Sequence, residues 1–370
     1  SFGNAASFML EETGDSAVLK WFVTTAPEIV VQSESALIPI ETRVALVKAI
    51  IDDHKKRGAT LVWGKFNTHE LARFADAPNL LSWLLEEAKR MEDLRHLASL
   101  IRVAQHVTVP PEMADQVRGF YLSLFRDDKR PLWVRLEGVA ALSHSRLGTK
   151  DIVAEIIKAA RGSTDAELLA AAYRLMRTCK CVDEFIEDVL AGIRTARGPN
   201  RIINERMEIR EVLSEVTSPL ALIRVCDYFA KNPASLNDLF LSDDFSAFVE
   251  NALATYRSQP SDNIFGAMIR LYLEVAEHHQ DKFVSSVANF FVQTGTQQAA
   301  VDHILTTQTK DGLGTAEAIV GVATRPVLEE LIRRYQGKEV DQLILERIRN
   351  RMPPGEMLDW FVTRLEEVDP

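Results

Sequence analysis

Three groups of residues have types and spacings that suggest chemistry. Cys179, Lys180 and Cys181 set two thiols one residue apart. Paired thiolates hold zinc, but a structural zinc site takes four ligands, and no second Cys/His pair stands at zinc-like spacing. Cys226 is far off in sequence, so buried or idle thiols are the expectation. Glu274 and His278 stand four apart, which on a helix brings a carboxylate and an imidazole to one face. The order His-Glu-x-x-His is missing, and so is a third ligand, so a solvated helix end accounts for the pair. His69, His96, His106 and His144 are scattered along the chain, with no Ser or Cys nucleophile in a recognisable frame. They read as ordinary surface or core residues.

Nucleotide chemistry finds no frame either. DGLGTAEA, residues 311–318, has the small residues of a phosphate-binding loop but lacks the lysine that reaches the β- and γ-phosphates. No Gly-x-Gly-x-x-Gly follows a strand, and no Gly-x-Ser-x-Gly elbow occurs. No catalytic, cofactor-binding or metal-ligating residue is assigned, no cofactor is expected, and the chain itself is read as non-enzymatic. Trp21, Trp63, Trp83, Trp133 and Trp360 are spread along the sequence. Tryptophan is favoured in binding hot spots, but in stacked helices it more often fills the core between repeats.

Composition sets the class. The 370 residues exceed the roughly 150 of one ordinary domain. They are 46% hydrophobic and 26% charged, as in a folded globular chain. Only 17 glycines and 14 prolines are present, too few for the turns of an all-β fold. The net charge of −10 argues against nucleic acid as a partner, because phosphate neutralisation needs a basic stripe. The basic clusters Lys55-Lys56-Arg57 and Lys129-Arg130 sit at helix ends, where cations complement the dipole. An odd three cysteines, no secretory segment and no apolar run of membrane-spanning length point to a reducing cytoplasm and no membrane. The chain begins with Ser1 and opens mid-pattern, which reads as a piece of a longer or processed protein.

The elements are helices. Asn67 with Glu70, and Thr164 with Glu167, have capping-box spacing. Ser218-Pro219 places a cap before a first-turn proline. Gly58, Gly148, Gly162 and Gly198 are placed as helix-ending glycines. Between these marks the apolar period is helical: Val44, Leu46, Val47, Ile50 and Ile51; Leu94, Leu97, Ala98 and Ile101; Ile152, Val153, Ile156, Ile157 and Ala160; Met268, Leu271 and Val275. The best strand candidate is PEIVVQ, residues 27–32. The pattern predicts about eighteen to twenty helices of roughly 10–17 residues, joined by short links that make neighbours antiparallel. The weakest link is at Gly198-Pro199, which divides the chain into 1–198 and 199–370, with one continuous array favoured over two independent domains. A second loose stretch spans 309–317.

The helices also repeat. In residues 129–148, Pro131 suits a first turn, Leu132, Leu136, Val139 and Ala140 form a stripe, and Ala140 and Ala141 let a neighbour approach. Arg135 lies beside that stripe, its stem packing while its head reaches water or a carboxylate. Residues 92–104 and 165–176 have similar layouts. The period is degenerate, at about 34–47 residues, and fades after residue 200. One helix pair cannot bury its apolar face alone, whereas stacked pairs share a continuous core. The predicted fold is therefore all-α, a right-handed α-solenoid of HEAT-like antiparallel helix pairs; a large irregular helical domain is the alternative.

One segment carries a resemblance. Residues 26–59 contain Pro27-Glu28-Ile29-Val30, then Arg43, Leu46, Val47 and Gly58; Leu71-Ala72 and Asp76 follow ahead of another helix. This resembles the region C-terminal to the nucleotide-binding core of bacterial NACHT-type STAND ATPases, over residues 26–180. The resemblance implies HEAT-like repeats in a sensor region of a signalling ATPase serving prokaryotic immunity, including defence against phage. The ATPase core itself lies outside the segment. The expected function is a non-catalytic recognition module that binds a protein on a concave surface. A free-standing scaffold or adapter is the alternative. An enzyme on a helical scaffold, such as a HEAT-like DNA glycosylase, is disfavoured by the acidic balance.

Overall fold

The computed structural model describes residues 38–56, 68–161, 166–195, 203–239, 242–277, 281–307, 313–337 and 339–368, with Ala17, Trp21, Thr25 and Val31. These are 83% helix, in twenty α-helices, with no strand among them. In the segment that offered a strand, the described residue Val31 is helical and buried. The other residues of 27–32 lie outside the described residues. Internal contacts divide the chain into two compact units, Ser1–Lys180 and Cys181–Pro370. Gly198-Pro199 lies outside the described residues.

The first unit contains α1 (Ile40–Lys56), α2 (Thr68–Phe74), α3 (Pro78–Arg90), α4 (Leu94–Ala104), α5 (Ala114–Arg126), α6 (Leu132–His144), α7 (Lys150–Arg161) and α8 (Ala166–Thr178). Consecutive helices pair, α3 with α4, α5 with α6 and α7 with α8. Alternate helices also pack, making a row α2–α4–α6–α8. The apolar positions of α1 and α7 named above are all buried; on α4, Leu97, Ala98 and Ile101 are buried and Leu94 is half-buried.

The closest approach is between α5 and α6. A Cβ built on Gly138 would stand 2.6 Å from the Tyr121 carbonyl oxygen, so this position admits the neighbouring backbone. The buried stripe of α6 is accordingly Val134, Gly138, Val139, Ala141 and Leu142, while Leu132, Leu136 and Ala140 are only half-buried. Arg135 lays its guanidinium over the Phe125 ring at 5.3 Å, and its Nε donates to the Phe125 carbonyl oxygen at 2.7 Å. The head thus meets a carbonyl and a ring, where the sequence suggested water or a carboxylate.

Helix ends differ in one respect from the glycine rule. Arg146, with φ 54°, occupies the left-handed position after α6. Leu147 N donates to Leu142 O at 2.9 Å and Arg146 N to Ser143 O at 3.1 Å, the paired bonds of a Schellman end. Gly148 serves packing instead: a Cβ there would lie 2.6 Å from Cys179 Sγ. Ser218 caps as expected, its Oγ accepting from Ala221 N at 3.2 Å. Asn67, Thr164, Gly58, Gly162 and Gly198 lie outside the described residues.

The second unit contains α9 (Ile186–Thr195), α10 (Ile203–Ser214), α11 (Pro219–Lys231), α12 (Ala234–Leu239), α13 (Ser242–Ser258), α14 (Asp262–Glu277), α15 (Asp281–Thr294), α16 (Gln297–Thr307), α17 (Leu313–Val322), α18 (Arg325–Gln336), α19 (Gln342–Arg351) and α20 (Glu356–Val368). Two rows recur here, α9–α11–α14–α17–α19 and α10–α13–α15–α16–α18–α20. The packing order therefore continues past residue 200, where the sequence repeat fades, because it needs only burial at helical spacing and not residue identity. Tyr272 on α14 shows the link: it is buried, and its hydroxyl donates to Ala318 O on α17 at 2.6 Å.

Polar bonds between helix pairs keep a recurrent sequence separation. Arg118 Nε donates to Leu147 O across 29 residues, Lys55 pairs with Glu87 across 32, Asp183 accepts from Thr217 across 34, and Tyr272 reaches Ala318 across 46. Each such bond joins neighbouring pairs, about one repeat apart.

Candidate functional site

The structure treats the expected chemical residues unevenly. Cys226 is buried, 3.6 Å from Met268 Sδ, and burial pushes its thiol far above the ordinary range. Cys181 is buried and Cys179 half-buried; none of the three forms a disulfide. Glu274 lies in α14, and His278 lies outside the described residues. In the stretch 311–318, residues from Leu313 onward are the first turns of α17, with Thr315 and Ala316 buried, so they form helix rather than a phosphate-cradling loop. Among the described residues no group of three metal-binding side chains could hold an ion. No helix among them is long and apolar enough to cross a membrane.

The histidines are the surprise. His96 lies with its Nδ1 3.2 Å from Asp93 Oδ1 at the start of α4. The other three meet. The rings of His69 and His106 lie 5.1 Å apart at 87°, and those of His106 and His144 lie 5.3 Å apart at 81°, both edge to face. His69 begins α2, His106 follows the end of α4, and His144 ends α6. The stacking of the row α2–α4–α6 is what brings residues from three successive pairs into one file. Burial pushes the pKa of half-buried His106 down, and the two flanking imidazoles push it further. The signal was in the sequence, since the spacings His69–His106 and His106–His144 are each close to one repeat, but isolated inspection of each histidine misses it.

The file continues along one face of the row. On α6, Trp133, Glu137, Ala140 and His144 follow at helical spacing. Trp133 is 43% exposed. None of the described tryptophans is core: Trp21 is 56% exposed, Trp83 and Trp360 are half-buried, with Lys48 and Arg325 over their rings, and Trp63 lies outside the described residues. The reason is local. α6 is apolar on nearly every side, so its buried stripe is filled by smaller residues and the largest side chain is left facing out.

Neighbouring helices brace that face. Arg102 on α4 pairs with Glu137 through Nε at 2.9 Å and through Nη2, and this bond raises the pKa of the guanidinium. Ser143 and Thr178 share a 2.8 Å hydrogen bond between α6 and α8, and Ser145 Oγ donates to Gln105 O at 3.3 Å. Arg95 on α4 and Arg174 on α8 are exposed. Chemically this is a firm, aromatic and guanidinium-bearing surface with titratable rings at one end. A cleft of about 270 Å³ on the same unit, lined by Lys89, Gln116, Phe120, Ser123, Asp127 and Arg130 among others, offers less: Arg130 is already tied to Asp127 at 2.9 Å, and Ser123 donates to Phe120 O.

No protein-family model, curated protein or solved structure matches this chain. Of the residues that carry the resemblance to NACHT-type ATPases, Pro27, Glu28, Ile29, Val30 and Gly58 lie outside the described residues, while Arg43 and Asp76 bond within the first unit. Arg43 Nη1 donates to Phe74 O at 3.1 Å, and Asp76 accepts from Thr108 N at 2.7 Å and from Thr108 Oγ1 at 2.6 Å.

Proposed function

We infer that the chain is a non-catalytic protein-recognition module, a right-handed solenoid of HEAT-like helix pairs that forms the sensor arm of a larger NACHT/STAND-type signalling ATPase in the cytoplasm, in prokaryotic immunity. The observation that carries the recognition reading is Trp133, exposed on the face of α6 where Glu137 is tied to Arg102 of α4. Tryptophan and arginine are the residues most enriched in binding hot spots, and a rigid support lowers the entropy cost of using them. Packing of alternate helices into rows supports the solenoid, whose concave side is where a protein partner is proposed to bind.

Three measurements test this. Small-angle scattering on the chain should give a radius of gyration clearly above the ~21 Å of a compact globule of this length; a compact particle would replace the solenoid with an irregular helical domain. The native coding region should contain a nucleotide-binding core upstream. In phage plaque assays with that full-length gene, Trp133→Ala should cost at least about tenfold in protection at unchanged protein level. An initiating codon directly before Ser1 would instead leave a free-standing scaffold or adapter.

A further inference from the structure

The geometry points to a proton-operated latch in the first unit: with neutral rings, His69, His106 and His144 clasp α2, α4 and α6 at their ends, and uptake of more than one proton loosens that clasp. This goes beyond recognition and does not depend on it.

The argument starts from contact. In an edge-to-face pair, the positive edge of one ring meets the negative face of the next. His106 is engaged on both sides, at 5.1 Å by His69 and at 5.3 Å by His144. A single proton on an outer ring is compatible with this file, since a cation is attracted to a ring face. Two protons on adjacent rings set like charges at contact distance, where each disfavours the other. The middle ring is the one least able to reach water, being half-buried while His69 and His144 are exposed.

Charged groups also stand on the packed elements. On α2 and its following turn stand Glu70, Arg73 and Asp76; Asp76 has both oxygens on Thr108. On α4, Arg102 is tied to Glu137 of α6. Arg146 follows His144. The charges acting on His106 are those of His144 and His69. Gln105, beside it, lends Nε2 at 3.2 Å to the His106 ring. Among the described residues, Asp76 to Thr108 joins the turn after α2 to the segment after α4, while Ser145 to Gln105 and Arg102 to Glu137 join α4 and α6.

Hydrogen exchange on the intact chain at pH 7.5 and 5.5, corrected for the intrinsic rate, reads the latch directly. Peptides covering 68–76 and 103–110 should lose protection by about tenfold at the lower pH. His106→Phe keeps a ring in the file but removes the central proton site, and should hold that loss below about twofold. His144→Gln, at an exposed position, provides a second variant should His106→Phe fail to fold, and should likewise blunt the loss. Unchanged protection in the parent chain would overturn the latch, as would an equal loss in both variants. So would a His106 ring resonance that titrates at or above the ordinary value of about 6.5.

Discussion

The backbone of α5 meets α6 at Gly138, where a side chain of any size would strike the Tyr121 carbonyl oxygen at 2.6 Å. Gly138→Ala should therefore destabilise the chain by about 1–3 kcal/mol, the usual cost of overpacking. Gly119, on α5 itself, has nothing within 4 Å of its would-be Cβ. Gly119→Ala should stabilise by about 0.5–1 kcal/mol, since only the helical entropy of glycine is removed. Urea unfolding of the two variants reads both signs in one experiment.

Asp183 closes a turn in the second unit, accepting from Thr217 N at 3.1 Å and Ser218 N at 3.0 Å. Asp76 does the same for Thr108 in the first unit. Asp183→Ala should cost about 1–2 kcal/mol by leaving backbone donors unpaired, and Asp183→Asn should recover part of it. Equal stability of the parent and the alanine variant would remove these aspartates from the account of how pairs are joined.

Stability should fall with acid in two stages. The folded His106 pKa lies below its unfolded value, so the unfolded chain takes the proton first. The stability tied to this ring is complete above about pH 6.5 and is lost as pH falls below it. Asp93, held down by the His96 backbone N–H, and Glu155, held down by Arg126, act lower: their contribution is present above about pH 4 and is lost beneath it. Urea midpoints across pH 7.5 to 3 should show both limbs, and His106→Phe should flatten only the first.

Thiol labelling should separate the cysteines. Cys226, buried and with its thiol held protonated, and Cys181, also buried, should stay unlabelled in the native chain. Cys179, half-buried, should react first. Labelling of Cys226 at the rate seen in urea would mean that α11 and α14 open readily.

Much of the helical framework was legible because burial imposes a period. Val44, Val47 and Ile51 could be assigned to a core face from spacing alone, and the same holds for Ile152, Ile156 and Ala160. What spacing does not reveal is rotation within the stack. Leu132 and Leu136 fit the predicted stripe of α6, yet the close contact at Gly138 turns the helix so that Val134 and Leu142 point inward and Trp133 outward. Arg146 ends α6 where a glycine was expected, because Schellman bonds and packing stabilise a left-handed residue that its own type disfavours. The histidine file escaped notice for a related reason. It exists only once α2, α4 and α6 are set side by side, and nothing in any one of those helices announces it.

The short sequence reach of the bonds between pairs has a consequence for how the chain is made. A link such as Lys55 to Glu87, or Arg118 to Leu147, closes only about thirty residues of chain. Low separation of this kind goes with fast folding and a modest entropic barrier. Each pair can settle on the one before it as soon as it emerges from the ribosome, without waiting for the far end of the polypeptide. Truncation from the C-terminal side of either unit should then shorten the stack one pair at a time, where a fold with distant pairings would collapse at the first cut.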